Sequence, residues 1–122
     1  MIDEIISFPT AILAKEKGFD ETCDDFYNSY YGVTFPLGET HYNNRYLKEE
    51  ENCEAPTQSL LAKWLREKHN IEILIKYYTK DEVVGYFCIV YLKNGDVKFV
   101  SEKLKTYEEP FELGLQEALK LI

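Results

Sequence analysis

The sequence predicts an α+β domain: an antiparallel sheet of about three strands with helices packed on one face. Three observations carry that prediction. Ile71, Ile73 and Ile75 alternate with Glu72 and Lys76 at the two-residue period of a strand. Asn94-Gly95 separates two further apolar runs, as a hairpin turn does. On either side of this block, Leu60, Leu61, Trp64 and Leu65, and then Phe111, Leu115, Ala118, Leu119 and Ile122, recur at helical spacing. The C-terminal half therefore reads α-β-β-β-α. The sheet is open to extension by an N-terminal hairpin. Residues 1–122 are read as a single domain, a length that suits one hydrophobic core.

The first helix is expected from Pro9 to Lys17. Ser7 can cap it, Pro9 sits in the first turn where a missing N–H costs little, and Gly18 with Phe19 has the form of a Schellman ending. Residues 20–55 read as one or two short, irregular hairpins punctuated by Gly32, Pro36, Gly38 and Asn43-Asn44. Within them Lys48-Glu49-Glu50-Glu51-Asn52 looks like an exposed loop. The second helix is expected from Thr57 to Lys68, with Asn70 ending it. After the first strand, a turn near Lys80-Asp81 leads to a strand from Val84 to Leu92. A type I′ turn at Asn94-Gly95 then returns the chain through Val97 to Val100. The middle strand is apolar at consecutive positions, with Tyr86, Cys88 and Val90 on one face and Phe87, Ile89 and Tyr91 on the other. That pattern suits a central strand covered on both sides. Thr106-Tyr107-Glu108-Glu109 has the spacing of a capping box and opens the last helix, with Pro110 in its first turn. The expected core is Leu61, Trp64, Leu65, Ile73, Ile75, Cys88, Val90, Leu115 and Leu119.

The chain carries 22 acidic and 14 basic side chains, a formal net charge of −8. Such a balance disfavours sequence-independent binding to phosphate backbones. It is compatible with a basic protein partner. Three cysteines, Cys23, Cys53 and Cys88, form no disulfide framework and point to a reducing compartment. The N-terminus has no basic segment followed by a long apolar run, and nothing approaches the roughly 20 apolar residues that span a bilayer. A cytoplasmic protein with no membrane association is expected.

No catalytic pattern emerges. Cys23, His41, Cys53 and His69 are the only Cys/His set outside the apolar strand, and no two of them have the close spacing of zinc ligands. Asp24-Asp25, Glu49-Glu50-Glu51 and Glu108-Glu109 read as solvated or helix-capping carboxylates. The glycines form neither a dinucleotide fingerprint nor a Walker loop, and no nucleophile elbow or H-E-x-x-H occurs. No cofactor and no metal are expected. The α-β-β-β-α order is shared with double-stranded-RNA-binding domains. Those domains meet phosphates with lysines where this chain has Thr106-Tyr107-Glu108-Glu109, so nucleic acid is not the expected partner. Lys63, Arg66, Lys68 and His69 read as a solvated helix face.

The unusual feature is tyrosine. Ten are present, and half of them, Tyr27, Tyr30, Tyr31, Tyr42 and Tyr46, fall between positions 27 and 46. Tyrosine among Ser, Gly and Asn is the chemistry of adaptable recognition loops, and equally of a small aromatic core. Tyr30, Tyr31, Tyr42 and Tyr46 are the candidate protein-binding residues.

Ala55-Pro56-Thr57-Gln58-Ser59-Leu60-Leu61-Ala62-Lys63-Trp64-Leu65-Arg66-Glu67-Lys68-His69-Asn70-Ile71 resembles a segment of small proteins of phages and mobile elements in Bacteroides-like bacteria. So do Ala11 to Phe19 and the ending from Thr106 to Ile122, although Pro110-Phe111 departs from the alanine and leucine expected there. This resemblance implies a phage or prophage accessory protein, acting through protein–protein binding or self-association, and brings no catalytic residues. Gly85-Tyr86-Phe87, the later strands and Thr106-Tyr107-Glu108-Glu109 also resemble the strand-then-helix core of HicB-type antitoxins. That second resemblance implies a module neutralising a small basic toxin, without the separate DNA-binding segment those proteins usually carry.

Overall fold

The computed structural model describes residues 4–28, 33–36 and 52–122. The chain divides into two compact units, Met1–Thr57 and Gln58–Ile122. Each holds a three-stranded antiparallel sheet. The fold is α+β, as the alternation of periods predicts.

In the first unit, α1 spans Phe8–Glu16. Ser7 Oγ accepts the Thr10 N–H at its start. At its end Gly18 takes φ +95°. The Gly18 N–H then donates to the Lys15 carbonyl and the Phe19 N–H to the Ala14 carbonyl, the two bonds of a Schellman motif. Strand β1 (Asp25–Asn28) lies between β2 (Val33–Pro36) and β3 (Asn52–Glu54). The N-terminal hairpin therefore exists as β1–β2, but it completes a sheet of its own with β3 instead of extending the C-terminal one. Strand β3 begins at Asn52, inside the stretch whose charge suggests a loop. Tyr27 ties this sheet to the segment before α1: its hydroxyl donates to the Ile6 carbonyl at 2.9 Å, and its ring lies 5.3 Å from that of Phe8.

The second unit runs α2 (Gln58–His69), β4 (Ile71–Lys80), β5 (Val83–Leu92), β6 (Val97–Val100) and α3 (Glu108–Lys120), with strand order β4-β5-β6. Asn70 ends α2 at φ 57°, a left-handed conformation that asparagine tolerates. The first hairpin turn falls where expected, and the second differs in type. Asp81 and Glu82 form a two-residue turn with both φ values positive, 52° and 67°, as type I′ requires. At Lys93-Asn94-Gly95 only Gly95 has positive φ. The Gly95 N–H donates to the Leu92 carbonyl, and Leu92 N–H to that of Asp96. This is a type I turn followed by a left-handed glycine, not the expected type I′ turn. Its cause is local: Asn94 Oδ1 accepts the Asp96 N–H at 3.0 Å and holds the asparagine in the turn.

The core of this unit lies between the helices and one sheet face. Leu61, Leu65, Leu115, Leu119, Cys88 and Val90 are fully buried, and Trp64 nearly so. Ile73 and Ile75 point to the same side but are only half-buried, because β4 is an edge strand. Helix α3 approaches the sheet closely at Gly114, where an added Cβ would stand 3.0 Å from Ile73 Cγ2 and 3.1 Å from Cys88 Sγ. Gln58 is buried at 3 % exposure and joins the two helices, its Nε2 donating to the Glu108 carbonyl and to Glu112 Oε1. At the start of α3, Thr106 Oγ1 accepts the Glu109 N–H, which is one half of the expected capping box. The other half differs: Glu109 Oε1 accepts a hydrogen bond from the Thr106 hydroxyl instead of from a backbone N–H.

Candidate functional site

The four tyrosines that the sequence singles out, Tyr30, Tyr31, Tyr42 and Tyr46, lie outside the described residues, as does His41. No group of three or more His, Cys, Asp or Glu side chains capable of holding a metal occurs among the described residues. Cys23, Cys53 and Cys88 are free and buried. Burial, reinforced by Glu54, Glu21 and neighbouring aspartates, pushes the Cys23 thiol up to about 12. Burial also raises Cys53 and Cys88. All three are thus protonated at neutral pH and poor nucleophiles. No helix among the described residues is long and apolar enough to cross a membrane.

What stands out is the second face of the C-terminal sheet. The register pairs Leu74 with Ile89, Lys76 with Phe87 and Glu72 with Tyr91, so these side chains share the face opposite Ile73, Ile75, Cys88 and Val90. Strand β6 adds Val100, opposite Ile89, and Val97, opposite Tyr91. Leu74, Val97 and Val100 retain 40, 59 and 54 % exposure. Phe87, Ile89 and Tyr91 are partly exposed between them. The double-sided apolarity of β5 thus does not reflect cover on both sides. Its odd-numbered side chains form the centre of an apolar surface that no described helix of this unit covers.

Local chemistry borders this surface. At one end the Lys103 ammonium lies 3.8 Å from the centre of the Tyr78 ring, a cation–π contact. Gly85 permits the neighbouring segment to come this close. The Leu104 carbonyl would be 2.9 Å from any Cβ there, and Leu104 exchanges both backbone hydrogen bonds with Tyr86. Glu72 and Lys76 edge the surface along β4. On the covered side, Tyr77, Tyr86, Tyr107 and Phe111 form a chain of edge-on rings 5.3 to 5.9 Å apart, which gives the C-terminal tyrosines a packing role.

Charge is unevenly divided between the two units. Residues 1–57 carry twelve acids and four bases, whereas residues 58–122 carry ten of each. The whole net charge of −8 therefore resides in the first unit. The unit with the uncovered apolar face has none to keep copies or partners apart.

No protein-family model, no curated protein and no solved structure matches the chain.

Proposed function

We propose that this protein is a non-enzymatic binding module whose contact surface is the uncovered face of the β4-β5-β6 sheet. The observation that carries this reading is the exposure of Leu74, Val97 and Val100 around Phe87, Ile89 and Tyr91. An apolar centre edged by Glu72, Lys76 and Lys103 has the anatomy of a protein interface. Three raised, buried thiols offer no competing chemistry among the described residues.

The test uses the chain and its Val97→Lys/Val100→Lys double variant as paired baits in extract from cells that make the protein. Circular dichroism first establishes that both are equally folded. A protein recovered by the unaltered chain and reduced about tenfold or more with the variant supports the reading. Equal recovery of every partner by both baits overturns it, because two charges buried within an apolar contact are expensive to desolvate.

A further inference from the structure

We propose that β4 pairs antiparallel with β4 of a second copy of this chain, about a two-fold axis at Leu74. This contact uses the edge of the sheet, so it stands or falls separately from the face described above.

The hydrogen-bond pattern fixes which groups are available. Cys88 and Tyr86 direct their backbone bonds to Ser101 and Leu104, away from β4. In an antiparallel ladder alternate residues face alternate neighbours, so the odd-numbered residues of β5 bond to β4. The Lys93 N–H donating to the Asn70 carbonyl obeys the same parity. Within β4 the even positions therefore face β5. The N–H and C=O groups of Ile71, Ile73, Ile75 and Tyr77 point outward, and no described strand pairs with that edge.

The two edges of the sheet differ in the devices that prevent association. Strand β6 has four residues and a register break beside Val90 and Tyr91. Strand β4 has ten, in continuous register with β5, without proline or bulge. A long regular edge is a template for another strand. Its charges select the register. Outward backbone groups meet only if Ile73 faces Ile75 of the second copy, or at shifts of two from that pairing. With Ile73 facing Ile75, Leu74 faces Leu74, and Glu72 faces Lys76 on both sides of the axis. Shifting by two in either direction places Leu74 opposite Lys76 or Glu72, and shifting by four places lysine on lysine or glutamate on glutamate. One register alone satisfies every charge in β4 between positions 72 and 76. The contact of Glu72 with Arg66, 4.0 Å long in solvent, is too loose to hold the carboxylate elsewhere.

The test is sedimentation of the full chain over a concentration series. A monomer–dimer equilibrium is expected. Glu72→Lys alone and Lys76→Glu alone should each weaken the dimer about tenfold, because two like-charge pairs replace two opposite ones. An equimolar mixture of the two variants should restore it, since each then supplies the charge the other needs. Leu74→Cys should form an intermolecular disulfide on mild oxidation: directly opposed residues in a non-hydrogen-bonded pair have Cα atoms about 4.5 Å apart, within disulfide range. Lys80→Cys should not. The native cysteines, all buried, give little background. A chain that stays monomeric throughout, a dimer indifferent to both charge reversals, or cross-linking through position 80 in place of 74 would overturn the proposal. Retention of the dimer by the Val97→Lys/Val100→Lys variant would separate this edge contact from binding by the face.

Discussion

The two faces of the C-terminal sheet are made by the same three strands and both are apolar along β5, yet one is sealed and the other is open. On the sealed face, Cys88 and Val90 lie fully buried, as do Leu115 and Leu119 of α3, whose Gly114 comes close to Cys88. On the open face, Ile89 and Tyr91 occupy the intervening positions beside Val97 and Val100, which keep more than half their exposure. Hydrophobicity says that a residue gains by leaving water, but it does not supply the cover. The helices are amphipathic and can cover one face only. The surplus apolar face is the one on which the binding proposal rests.

Substitutions on the two faces sharpen this contrast. Leu115→Ala, at the centre of the sealed face, should cost about 2–5 kcal/mol in urea unfolding through lost burial and a residual cavity. Gly114→Ala should cost about 1–3 kcal/mol, since Ile73 and Cys88 must move to admit a methyl group. Gln58→Leu should lose about 1–3 kcal/mol, because the Glu108 carbonyl is left without the donor that Gln58 supplies at a buried helix junction. Glu82→Gly, in the turn beyond both faces, should gain roughly 1 kcal/mol by relieving a left-handed backbone at a side-chain-bearing residue. Val100→Lys, on the open face, should alter stability by no more than about 0.5 kcal/mol. If Val100→Lys proved as damaging as Leu115→Ala, the two faces would not be energetically distinct and the binding proposal would lose its basis.

Helix ends were legible in the sequence because their chemistry is local. Ser7, Gly18, Asn70 and Thr106 all act within a few residues of themselves, and all act as helix boundaries. The hairpins were legible in position but not in type. Asn94-Gly95 carries the stronger type I′ signal, yet the Asn94 side chain captures the Asp96 amide, and the two-residue turn falls at Asp81-Glu82. Gln58 stands in the first turn of the expected second helix, where nothing local marks it out. Its role depends on Glu108 and Glu112, some fifty positions away, and no nearby residue announces them. The proposed contact surface was half legible: apolarity on both sides of β5 was plain, but its exposure was not, since a strand covered on both sides and one left open on one side have the same composition.

By itself the sequence determined the α+β class, the helix boundaries and the alternation that sorts β4 and β5 side chains between two faces, because periodicity and capping are encoded over a few residues. Only the tertiary structure decided that the N-terminal strands form a separate sheet, that the face of β5 opposite Cys88 keeps its side chains partly exposed, and that β4 stands at an edge. Those outcomes depend on which distant surfaces meet: the expected core already named the Cys88 side, but a strand's own residues do not specify that its other face will be left without a helix.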